Sequence, residues 1–133
     1  MVSRVKQVVA LVKDGKLDDA YGAYRALFAE PGFTKNRPED QRQALKLMIH
    51  ARNAPPKPTP AMVEAHRAAI APLTELVSTL EEPADYEMLG MCHEMMGNAE
   101  SASNMYRAGL KIERERSPSS DLCGALMRRV SLI

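Results

Sequence analysis

The stretch "EMLGMCHEMMGN", residues 87 to 98, concentrates the side chains best suited to chemistry. Met88, Met91, Met95 and Met96 surround Cys92 and His93. Thioether, thiolate and imidazole are the soft ligands that copper and zinc favour. A site built on Cys92 and His93 would therefore be a metal site. The spacing argues against it. Adjacent residues on a helix diverge by about 100° and cannot easily share one ion. The methionines recur at three and four residues, the pattern of flexible packing or of an adaptable binding surface. His93-Glu94-Met95-Met96 is not HExxH, because the second histidine is missing. His50 and His66 stand alone, and Ser3-Arg4-Val5-Lys6 matches Ser-x-x-Lys without companion motifs. Arg128-Arg129-Val130-Ser131 has the form of a basophilic kinase site, but a basic last turn also suits a helix C-terminus. No convergent catalytic set and no phosphate loop is visible, so the expectation is no enzyme, no cofactor and no metal.

These residues sit on helices. The chain has 133 residues, 45% apolar and 26% charged, enough for one domain with a real core. It contains no run of about 18 apolar residues that could span a membrane. Two cysteines, Cys92 and Cys123, without CxxC spacing suggest a reducing, cytoplasmic setting. Residues 1 to 60 carry 11 Lys or Arg against 6 Asp or Glu, and residues 61 to 133 carry 7 against 11. That dipolar balance is not the footprint of a nucleic-acid binder.

Strand alternation is absent and helical spacing runs throughout, so the fold class is all-α. Val5, Val8, Val9 and Val12 form one stripe, with Ser3 as a candidate cap and Gly15 beyond the end. Further helices are expected over about Leu17–Phe28, Pro38–Arg52, Pro60–Leu80, Pro83–Met96, Ala99–Arg116, and from Ser119 or Ser120 onward. Thr59 would cap the fourth, whose internal Pro72 should kink or split it. Four prolines between Pro55 and Pro60 make a stiff connector.

A repeat runs through this pattern. Gly15, Ala20 and Tyr24 recur 82 residues later as Gly97, Ala102 and Tyr106. Tyr86, Leu89, Gly90 and His93 precede the second set, and Gly109 follows it. These residues resemble the tetratricopeptide repeat, a 34-residue helical hairpin. The resemblance is strongest over residues 84 to 118 and weaker over 1 to 32. It implies a single domain of stacked hairpins in a short right-handed superhelix. They would be residues 2 to 29, a degenerate pair over 38 to 81 with a Pro-rich loop at 54 to 60, residues 83 to 116, and a capping helix at 119 to 132. It also implies a non-catalytic interaction module whose first helices line a groove. Val2, Val5, Val9 and Val12 would line one end, and Glu87, Met91, Glu94 and Met95 the other. Such an apolar and acidic surface suits a peptide or amphipathic helix bearing Lys or Arg. The basic residues of carboxylate-clamp members are absent, since the matching slots hold Val5, Val9, Ala84 and Met88. The alternative is a structural subunit that self-associates, with a homo-oligomer covering the valine stripe.

Overall fold

A computed structural model describes residues 1–133. It holds seven α-helices and no strand: α1 (Val2–Lys13), α2 (Leu17–Ala29), α3 (Pro38–Ile49), α4 (Pro60–Leu80), α5 (Pro83–Met95), α6 (Ala99–Arg116) and α7 (Asp121–Leu132). The all-α, multi-helix reading stands, with helix–helix packing consistent with a helical-repeat architecture. No helix is long and apolar enough to cross a membrane.

Local chemistry sets most boundaries. Pro38 and Pro83 occupy first turns, where a missing N–H costs nothing. The Thr59 hydroxyl accepts from the Met62 N–H at 3.2 Å, Asn98 caps Ser101, and Ser120 caps Cys123. Two expectations shift. Ser3 caps nothing, because α1 already begins at Val2 with Met1 at its cap position. α4 continues through Pro72 as one assigned helix, although the proline denies the Ala68 carbonyl its N–H partner.

The chain divides into two compact units, Met1–Pro72 and Leu73–Ile133, and the boundary falls at that proline. In the first unit, Tyr24 stacks on Phe28 at 5.7 Å, and Phe28 meets Phe33 edge-on at 5.2 Å. Leu45, Met48, Met62, Ala65 and Ala69 complete its core. The link from α2 to α3 holds one 3-10 turn, Phe33–Lys35. The buried Gln41 amide donates to the Thr34 and Asn36 carbonyls and closes it. In the second unit, Ala102, Tyr106, Leu110, Cys123 and Leu126 form one buried cluster.

The 82-residue repeat extends further than the Gly-Ala-Tyr match. Adding 82 carries α1 onto α5, α2 onto α6, and α3 onto α7, each starting within one residue of the expected place. Gly15 and Gly97 both take the left-handed conformation, with φ of 75° and 76°. A glycine does so without the penalty a side chain would add. Ala20 and Ala102 are both buried, as are Tyr24 and Tyr106. Each unit therefore contains the same helix triplet.

The triplets differ where the first two helices meet. A Cβ on Gly90 would lie 2.3 Å from the Tyr106 ring, so the bare glycine lets that ring lie on α5. The equivalent residue of α1 is Val8, itself buried. A valine there cannot admit a tyrosine ring so closely. α5 accordingly buries seven of its residues, from Pro83 to Cys92, whereas α1 buries only Val8.

His66 makes a pH prediction. Its Nδ1 lies 2.8 Å from the Met62 carbonyl oxygen, which can only accept, so Nδ1 carries the proton and donates. Burial lowers its pKa from the usual 6.5, which disfavours the charged form in the folded state. A depressed folded pKa gives stability that is full above 6.5 and falls as pH drops below that value. His93 shifts the same way through burial and adds to this limb. Urea melts of the parent should weaken as pH falls below 6.5, and His66→Gln should flatten part of that slope. Equal slopes in both would contradict the assignment.

Candidate functional site

The opening stretch lies on α5, and Cys92 is fully buried. Burial pushes its thiol up to about 12, so it stays protonated. No group of three His, Cys, Asp or Glu side chains is placed to hold a metal ion.

The acidic and methionine surface expected on α5 has an occupant already. Glu87 is only 7% exposed and accepts from Arg129 Nε of α7 at 2.9 Å. The Arg129 guanidinium also lies over the Tyr106 ring, 5.7 Å from its centre. Met91 is partly buried and packs with Leu122 and Val130 against the Tyr106–Leu126 cluster. α7 is thus an amphipathic helix bearing arginine, the kind of ligand this surface suits, supplied by the chain itself. Glu87 is paired within the chain, and Met91 is partly buried against the cluster. Glu94 stays exposed and accepts from the Tyr106 hydroxyl at 2.6 Å, and Met95 is half-buried. This hydroxyl is pushed far above the usual phenol range by burial and then by Glu94, so it remains a donor.

The valine end is different. A cavity of about 300 Å³ opens between α1 and α3, lined by Val2, Val5, Lys6, Asp40, Gln43 and Ala44 among others. Beside it, a second cavity of about 120 Å³ is lined by Val12, Leu17, Tyr21, Tyr24, Leu47 and Met48 among others. Val5, Val9 and Val12 are half-buried, Val2 is exposed, and Leu47 is 38% exposed. Val5 and Val12 line these cavities, and Val9 lies between them on α1. Asp40 is paired with Arg37 at 3.2 Å, and Lys6 lines the same cavity.

The repeat explains why this cleft is open. Val5 and Leu47 are the equivalents of Glu87 and Arg129. Val9 and Val12 are the equivalents of Met91 and Glu94. In the second unit those positions close the seam between α5 and α7 with an ion pair and a packed methionine. In the first they are short and apolar, and nothing bridges them. Leu47 and Tyr24 were not expected at the site from sequence. Aligning α3 with α7 at the 82-residue offset is the signal that finds Leu47.

The two cavities are mainly apolar, Tyr21 and Tyr24 line the smaller one, and the unit that holds them has an excess of basic residues. Residues 1 to 72 carry 12 Lys or Arg against 7 Asp or Glu. No nucleophile–base pair lines either cavity. No family model matches the chain, and no curated protein or solved structure is significantly similar to it.

Proposed function

We propose that the chain is a non-catalytic protein-interaction module of tetratricopeptide type, and that the α1–α3 cleft receives an apolar segment of a partner protein. One observation carries the reading: positions that the second unit closes with its own Glu87–Arg129 pair are apolar and open in the first. The repeat type is supported by the Gly90–Tyr106 approach and by Gly109, where a Cβ would lie 2.9 Å from Tyr86. An intracellular partner accords with two buried, unpaired cysteines.

The test uses peptides selected from a random display library on the full chain. Leu47→Lys places a charge in the trough at a half-exposed position, so it should fold normally and bind at least about tenfold more weakly, as for a lost hot spot. Met91→Lys should instead lower the melting temperature and leave affinity unchanged in the folded fraction. Peptides that ignore Leu47→Lys would overturn the reading.

Self-association is the second reading, favoured by the outer side of α7. Met127 is 48% and Leu132 85% exposed. Met127 is the equivalent of Leu45, which is buried in the first unit. Sedimentation should then show an oligomer in the parent that Met127→Lys dissociates.

A further inference from the structure

The end of α7 carries Arg128-Arg129-Val130-Ser131, followed by Leu132. A helix C-terminus favours the two arginines but asks nothing of the serine or the leucine. Ser131 is exposed, and its hydroxyl donates to the Met127 carbonyl of its own helix at 2.9 Å. Leu132 is 85% exposed, and Arg128 is exposed as well. Arg129 is half-buried instead. Its Nε donates to Glu87 of α5, and its guanidinium lies over the Tyr106 ring.

We propose that Ser131 is a phosphorylation site for a basophilic serine kinase, and that the Glu87–Arg129 pair gates access to it. A kinase with carboxylates in its substrate groove takes guanidinium groups two and three residues before the serine, each through a charge-assisted bond. An apolar residue directly after the serine, here Leu132, suits the groove beyond. Ser117 is the competitor, with Arg114 three residues before it. Glu115 stands two residues before it, however, where Ser131 has Arg129. Such a groove holds its substrate extended. On the helix, Arg128 shares the face of Ser131, three residues on, while Arg129 points to α5. The end of α7 must therefore unwind, and Arg129 must leave Glu87, before both arginines can be read. Helix ends fray at little cost, so the ion pair is the tie that holds this one. In the transfer, Ser131 Oγ attacks the γ-phosphorus of ATP. The new Oγ–P bond replaces the bond to the leaving ADP oxygen, and the hydroxyl proton passes to the kinase's catalytic carboxylate. The product carries a phosphate at the negative end of the α7 dipole, where it weakens the last turn. The site lies in the second unit and does not depend on what the first unit's cleft binds.

The test incubates the full chain with ATP and the catalytic subunit of cyclic-AMP-dependent protein kinase, a basophilic enzyme, and maps the product by mass spectrometry. One phosphate should appear, on Ser131, and none in Ser131→Ala. Arg128→Ala removes an exposed side chain and should fold as the parent does. It should still slow the reaction by about tenfold, the equivalent of one charge-assisted bond. Glu87→Gln should speed the reaction several-fold by releasing Arg129. The phosphorylated chain should melt about 3 °C below the parent. No incorporation, incorporation at Ser117 instead, or a rate indifferent to Arg128→Ala would overturn the site. A Glu87→Gln chain that folds but reacts no faster, or a phosphorylated parent whose melting temperature is unchanged, would overturn the gate.

Discussion

Ala102→Arg should cost about 4 kcal/mol of stability, because it forces both bulk and an unpaired charge into a filled core. Ala102 is completely buried, at the centre of the cluster that joins α6 to α7. Total stabilities of domains this size are about 5–15 kcal/mol, so the variant should be marginal at room temperature. Asn104→Arg is the control. It lies two residues along the same helix and is exposed, so it changes charge without entering the core. Denaturant melts of the two variants should differ widely. If Ala102→Arg unfolds at the same denaturant concentration as Asn104→Arg, the close approach of the helices at Ala102 is wrong.

The second large effect is at Gly90. Gly90→Val should destabilise by about 3 kcal/mol, at the upper end of overpacking costs, since Cβ alone would sit 2.3 Å from Tyr106 Cε1. The ring cannot simply swing aside, because its hydroxyl is tied to Glu94 and its face lies under Arg129. Helix propensity runs the other way, as valine is better than glycine in a helix interior. The sign of the result thus decides which effect wins. In a Tyr106→Leu background the ring is gone, and Gly90→Val should become neutral or stabilising. Additive losses in the double variant would mean that the glycine and the tyrosine are not in contact.

The helices were legible because their ends are written in residue types. Pro38, Pro83, Gly15, Gly97 and Ser120 each act locally, within one turn, and local rules read them correctly. Ser3 misled for the same reason. A good capping residue one position too late is overridden when the preceding residues are already helical. Pro72 shows the converse, since a long helix can lose one hydrogen bond and still continue.

The site was half legible. Spacing within α1 identified Val5, Val9 and Val12 as one stripe. The tetratricopeptide resemblance pointed to Glu87 and Met91 on α5 as a second one. What spacing cannot state is which element covers a stripe. α7 covers Glu87 through Arg129, a contact between residues 42 positions apart. Spacing within α3 does not single out Leu47, whereas its match to α7 at the 82-residue offset makes it the counterpart of Arg129. The loss of Gly90's role at Val8 was also readable in principle. It exchanges the smallest residue for a branched one at a helix crossing.

The central claim is that the first unit keeps open, for a partner, a seam that the second unit closes with its own side chains. Methyl-resolved NMR of the full chain, titrated with a library-selected peptide, tests it most directly. Shifts should centre on the Val5, Val9, Val12 and Leu47 methyls, with the Met91 and Val130 signals unmoved. Perturbations centred on Met91, Val130 or the outer face of α7 would contradict it.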